Sequence, residues 1–215
     1  MKTKIISLIV FLLAGTAVFV GAKLNVEHKQ KMEIAEAENA KRSKVLKEYE
    51  EARYQLAIEV DNYITSVAPK SCIDPFLMID LCSQYGVDIR FVLAQGQVES
   101  HFATKGTAAR TLSIFNVGAY DGHSASRQRR NGFGYSDPND SIEPYLILIT
   151  SEYMVNGKTE YDLMKNYVNC LGMRYASNPR YEKMLRSVYK RISNRPAFNT
   201  AYDNYLQSQN NLALC

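Results

Sequence analysis

Residues 93–104 read LAQGQVESHFAT, and Glu99 is the single acid in a run that otherwise carries no formal charge. Around it the apolar residues Phe91, Val92, Ala94, Val98 and Phe102 recur at three- and four-residue steps. That spacing predicts a helix over about residues 88–100 with one face on a core. A carboxyl beside a packed face loses hydration when it ionises, so its pKa rises and it remains a proton donor near neutral pH. The competing reading is a Glu that simply ends its helix in water, as most glutamates do. Neither the histidines (His28, His101 and His123) nor the four cysteines fall at metal-ligand spacings, so no metal and no cofactor is expected.

The elements that must position Glu99 follow from punctuation. DPFLMIDLCSQYG reads as a helix with Pro75 in its first turn and Gly86 just past its end. Glycines and Pro138 break residues 103–140 into loop with short β-prone pieces, SIFNVGAY and GFGY, enough for one hairpin. Asp140 and Glu143 resemble a capping box ahead of a helix carrying Ile142, Tyr145, Leu146 and Ile149. Two more helical runs are expected near 159–171 and 179–193, followed by a polar, loosely held tail over 197–215. No internal repeat is present.

Upstream, neither Gly nor Pro occurs between Ala22 and Ala68, and charges of both signs are interspersed, which predicts one long helix ended by Pro69. Residues 23–70 read as a helical stalk. Its second half carries a stripe of Val45, Tyr49, Ala52, Leu56, Val60, Tyr63 and Val67, fit to pack on the domain or, through the 45–67 helix, on a sister chain. Residues 5–22 are uncharged and flanked by Lys2, Lys4 and Lys23, an export signal long enough to anchor in a membrane. An anchor is favoured over cleavage after Ala22 because a stalk follows it. Export permits disulfides among Cys72, Cys82, Cys170 and Cys215; three pairings are open, and Cys72 with Cys82, which flank one short helix, is a candidate. A net charge of +4 suits an anionic polymer as partner and falls short of the clustered basic surface of a nucleic-acid binder.

Four segments carry a family resemblance, over roughly residues 75–193. AQGQVESHFAT is similar to the AQ-x-x-x-ES-x-(W/F)-x-(T/S) motif of the bacterial N-acetylglucosaminidases of glycoside hydrolase family 73. SIFNVG stands where that family has NLFGIK, YSDPNDSIEPYL resembles its Y-x-S-x-x-ES-x-x-x-Y-x-x-L, and YASNPRYEKML resembles its YATDP-x-Y-x-x-K-L. The resemblance implies a mainly α, lysozyme-like helical domain over residues 71–196, with a small β-hairpin or loop lobe. It also implies a peptidoglycan hydrolase cleaving β-1,4 bonds next to N-acetylglucosamine, with Glu99 as catalytic acid and Tyr175 and Tyr181 as active-site tyrosines.

The family's second, hairpin carboxylate has no clear counterpart. Asp121 is the only acid between Ser100 and Asp137, and the stretch SASRQRRNG follows it. Asp121 is therefore the candidate for the second catalytic role, with assistance from the substrate's own N-acetyl group as the other route. Ser113, Phe115 and Asn116 are candidate substrate contacts beside Tyr181. Arg127, Arg129 and Arg130 form either a solvated face or a contact to stem-peptide carboxylates. Two rivals remain: a lysozyme or lytic transglycosylase on the same fold, although the transglycosylase G-L-M-Q segment is missing, and a catalytically degenerate glycan-binding envelope protein.

The topology is testable directly. An anchored chain stays in the membrane pellet at full length after alkaline carbonate washing, whereas release of a species beginning at Lys23 would rule the anchor out.

Overall fold

The uninterrupted helical sequence ahead of Pro69 folds as expected into α1 (Lys2–Val67). The computed structural model describes the backbone of residues 2–117 and 134–214 and the side chains of residues 28–117 and 134–214. Among the described residues seven further helices follow: α2 (Pro75–Tyr85), α3 (Ile89–Ser100), α4 (Ala108–Thr111), α5 (Ile142–Leu148), α6 (Glu160–Leu163), α7 (Tyr181–Ser193) and α8 (Pro196–Ala213). A 3-10 turn at Pro138–Ser141 leads into α5, and a π-type turn at Ile149–Tyr153 leaves it. Among the described residues there is no strand, only one antiparallel bridge between Val168 and Arg174. The chain is mainly α.

Two compact units are distinguished: residues 1–49 with 209–215, and residues 50–208. In the first, residues 28–44 are exposed, and Lys29–Glu33 and Lys44–Glu48 form four-residue ion pairs at 4.0 and 3.8 Å. Such solvated pairs contribute little each, so propensity and length sustain this part of the helix. The side chains of the expected anchor, residues 5–22, lie outside the described residues. Among the described residues no helix is long and apolar enough to cross a membrane.

The second unit holds the core. Leu56, Val60 and Tyr63 of the α1 stripe are buried there, at 0, 0 and 1 % exposure. That part of the stripe is used within the chain, so the expected sister-chain seam is corrected for these residues. α3 is buried on nearly every side, with Phe91, Val92, Leu93 and Ala94 fully covered, and α7 is its main helical neighbour. α2 is opened by Asp74, whose carboxylate accepts from the N–H groups of Phe76 and Leu77 at 2.8 and 3.3 Å, and is closed by Gly86 at φ 65°. Only glycine takes that left-handed turn without cost.

The start of α3 is fixed by charge. Asp88 accepts from its own helix at Arg90 N (2.9 Å), pairs with the Arg90 guanidinium (2.8 Å), and accepts from the Tyr189 hydroxyl of α7 (2.8 Å). The Arg90 guanidinium in turn lies 4.8 Å over the Tyr202 ring of α8. One N-cap thus ties three helices together.

Several expectations are corrected. The 197–215 tail is α8: Pro196 opens it, and Phe198, Ala201, Tyr202 and Tyr205 bury a stripe at three- and four-residue steps. Asp137, not Asp140, caps the turn before α5, by accepting from Asn139 N at 2.8 Å. The helix expected over 159–171 is one turn, α6, after which the chain passes into the loop that forms the Val168–Arg174 bridge. The start of SIFNVGAY is a turn rather than a strand, since Asn116 takes φ 53°. Cys72, Cys82 and Cys170 are free thiols, and Cys82 is buried inside the packed face of α2, so the Cys72–Cys82 pair does not form. Asp121, His123, Arg127, Arg129 and Arg130, and most of the proposed hairpin, lie outside the described residues.

Because Phe198 is fully buried, Phe198→Ala is expected to lower unfolding stability by about 3–5 kcal/mol. Urea unfolding of the two proteins measures it; a difference below about 0.5 kcal/mol, the level of a surface change, would return residues 197–215 to a loose tail.

Candidate active site

Glu99 occupies the last turn of α3, half-buried, and its two carboxyl oxygens go to two different segments. Oε2 accepts from Asn116 Nδ2 at 3.1 Å, and Oε1 accepts from the Tyr181 hydroxyl at the start of α7. Asn116 Nδ2 also reaches the Glu99 carbonyl at 3.2 Å, so one amide clamps both side chain and backbone. Burial pushes the Glu99 pKa above the ordinary glutamate range, and the hydrogen bonds from Tyr181 and Asn116 pull it part of the way back. The group is a weakened acid whose anion already has two donors in place.

The neighbouring residue holds this geometry. Ser100 Oγ donates to the Ile114 carbonyl at 2.6 Å and accepts from Ala103 N at 2.7 Å. From the other side, Ile114 N donates to Ser141 Oγ at 3.0 Å. Residues 113–116 are therefore pinned at Ile114 and deliver Asn116 to Glu99. Gly96 lets the two segments approach: a Cβ there would sit 2.9 Å from Phe102 Cε1 and 3.2 Å from Ile114 Cγ2. After Ser100 the chain makes three successive left-handed residues, His101, Phe102 and Ala103, at φ 47, 54 and 62°. Such a run is strained for side-chain-bearing residues and persists where burial and hydrogen bonding over-determine it. Here Phe102 is 1 % exposed.

The tyrosines form one cluster beside the acid. Tyr175 stacks on Tyr167 (centroids 4.7 Å apart) and on Tyr181 (5.9 Å). Its hydroxyl donates to the Phe115 carbonyl at 2.7 Å. Burial, then the Glu99 charge, push the hydroxyls of Tyr175 and Tyr181 well above the usual tyrosine range, so both act as donors at neutral pH. Tyr175 is presented by a tight loop. Arg174 pairs with both oxygens of Glu182 at 2.8 Å, and Tyr175 N donates to the Tyr167 carbonyl at 3.0 Å.

The structure brings Glu99, Asn116, Tyr175 and Tyr181 together. Ser113 is buried beside them, and its Oγ has no partner among the described residues; the same holds for Asn116 Oδ1. Phe115 differs from expectation: its ring is 1 % exposed and stacks on Tyr145 at 3.8 Å, so it is core, and only its carbonyl serves the cluster.

Sequence reading missed Gln95. It is fully buried, and its Oε1 accepts from both Tyr145 (2.6 Å) and Tyr167 (2.8 Å), which fixes the tyrosine layer under the site. A polar residue at a core position one turn before the acid was the available signal. Glu182 was missed as well, although its place directly after Tyr181 marks it.

A family model described as glucosaminidase, mannosyl-glycoprotein endo-beta-N-acetylglucosaminidase, matches residues 77–194, more than half of the chain. No curated protein and no solved structure matches it. The matched span contains α3, the Ser113–Asn116 turn and the tyrosine cluster. The chain belongs to this glucosaminidase family and is a glycoside hydrolase, its family pointing to peptidoglycan as the class of substrate.

Proposed function

We propose that this protein hydrolyses the β-1,4 bond next to N-acetylglucosamine in peptidoglycan, with Glu99 as the general acid. The observation that carries this reading is the Glu99 carboxyl held between Tyr181 and Asn116 in surroundings that raise its pKa. Protonated Glu99 gives its proton to the glycosidic oxygen as the bond from the anomeric carbon to that oxygen breaks. The charge left on the carboxylate falls on an oxygen already facing the Tyr181 hydroxyl and another facing the Asn116 amide. Water then adds to the anomeric carbon, and its proton returns to Glu99. The cationic sugar needs a second partner, either Asp121 or the substrate's acetamido oxygen.

The unpartnered Ser113 Oγ and Asn116 Oδ1 suit an acetamido group, which carries one N–H donor and one carbonyl acceptor. Retention of an acid with tuned surroundings favours an enzyme over a degenerate glycan binder. We further propose that the protein is exported and held to the membrane through residues 5–22, with the domain facing the wall.

Glu99→Gln keeps the shape and removes the dissociable proton, so turnover on purified peptidoglycan should fall by about 10²–10⁴-fold. Stability should not fall. Because the folded pKa lies above the unfolded one, ionisation of Glu99 opposes folding: its favourable contribution is complete below the unfolded pKa and is lost as pH rises through the folded value. At pH 7 the variant should therefore melt at or above the wild-type temperature. Mass spectrometry of the released muropeptides reads the bond cut, and a product ending in reducing N-acetylglucosamine is expected. Near-full activity of Glu99→Gln, or an anhydro product, would refute the assignment. In the same assay Asp121→Asn separates the two routes, since a loss as large as that of Glu99→Gln assigns Asp121 and a mild one assigns the acetamido group.

A further inference from the structure

On the side of α3 turned away from Glu99 lies a second, open cleft of about 850 Å³ between α3 and α7. Gln97 lines it, two residues from Glu99 and so about 200° around the helix from it, and so does His101, which follows the end of α3 in a left-handed conformation. α7 supplies the other wall through Arg180, Met184, Ser187 and Arg191, which recur at three- and four-residue steps, with Lys183 beside them. Val98, Met184 and Val188 give it an apolar floor.

The electrostatics of this cleft are one-sided. Arg180, Lys183 and Arg191 are exposed, no acidic residue lines the cleft, and none of the three cations has a carboxylate partner among the described residues. This contrasts with Arg53, Arg90 and Arg174, each of which is paired to an acid. A fourth cation, Arg195, lies 5.6 Å over the ring of Tyr63, whose hydroxyl donates to Gln97 Oε1. His101 is held below the usual histidine range, by burial and then by Lys105, and is neutral at pH 7. The positive charge therefore comes from α7 and the residue that precedes it.

We propose that this cleft binds the acidic stem peptide of the peptidoglycan strand being cut, a proposal that rests on the glycosidase reading above. Arg180 adjoins Tyr181, which touches Glu99, so the cleft begins beside the residue that holds the acid. A helix is about 10–12 Å across, and a four-residue peptide extends to about 14 Å. A stem leaving the sugar near Glu99 is long enough to turn round the end of α3 and meet Arg180 and Lys183 at the start of α7. Its free carboxylates match the guanidinium and ammonium groups, while alanine methyls suit Val98, Met184 and Val188. A polyphosphate would use the cations and leave that apolar floor unused.

The test titrates the full chain, in nonionic detergent, with the tetrapeptide Ala–D-Glu–Lys–D-Ala, and with the same peptide carrying amidated carboxylates. The free-acid peptide should bind saturably and the amidated one about tenfold more weakly, as expected for a few solvent-facing pairs of modest individual worth. Combined Arg180→Gln, Lys183→Gln and Arg191→Gln should bring the free acid down to the amidated level, while Glu99→Gln leaves it unchanged. In turnover, the triple variant should raise KM about tenfold on intact peptidoglycan and leave it unaltered on glycan strands stripped of stems. Equal binding of the two peptides, no binding, or inorganic polyphosphate held by the three cations in preference to the free-acid peptide would overturn the proposal. So would an equal loss on both substrates. Peptide binding without any glycan cleavage would instead overturn the glycosidase reading and leave the cleft a peptide site.

Discussion

A carboxyl at the end of a buried helix is stable only if something replaces the water it has lost, and in this fold that replacement comes from two distant places in the chain. Asn116 is 17 residues downstream of Glu99 and Tyr181 is 82 residues downstream. Bringing both to one side chain requires α3, the Ser113–Asn116 turn and α7 to hold fixed positions, and several of the second unit's polar contacts serve that end. Asp88 locks the start of α3 to α7 through Tyr189 and, by way of Arg90, to α8. Ser100 and Ser141 lock the turn from both sides of Ile114. Arg174 and Glu182 lock the loop that ends at Tyr175.

This arrangement costs stability. A desolvated acid, three left-handed residues after it and unpartnered polar atoms at Ser113, Asn116 and Gln95 are each unfavourable in a packed interior. Several of them meet near Glu99, and around them Ile142, Tyr145, Leu146, Ile149, Leu163 and Leu185 are fully buried and apolar or aromatic. Consistent packing around them offsets the cost.

Much of the scaffold was legible because its signals are local. Pro75 with Gly86, and Asp88 ahead of an apolar stripe, marked α2 and α3 to within a residue. The acid and its tyrosine partner were legible through motif spacing, and the outlier among the site residues is Phe115, whose aromatic character read equally as a sugar platform or as core. α8 escaped notice because its buried stripe of Phe198, Ala201, Tyr202 and Tyr205 is diluted by Asn, Asp and Gln, and only the packing of Tyr202 under Arg90 shows which side faces inward. Gln95 escaped for a related reason: what makes a buried amide useful is the pair of tyrosine hydroxyls it receives, and these come from 50 and 72 residues away.

The reading of Glu99 as a proton donor requires a carboxyl whose pKa is raised by burial and drawn part of the way back by two donors. Its own titration is the most direct measure: the carboxyl carbon of Glu99, labelled with ¹³C and followed by NMR from low to high pH in the folded protein. The midpoint should lie above the ordinary glutamate value and should coincide with the alkaline limb of kcat/KM. Removal of one donor by Tyr181→Phe should move both upward together. A midpoint at or below the ordinary value, or an alkaline limb that stays in place when the Glu99 titration moves, would contradict the assignment of Glu99 as the proton donor.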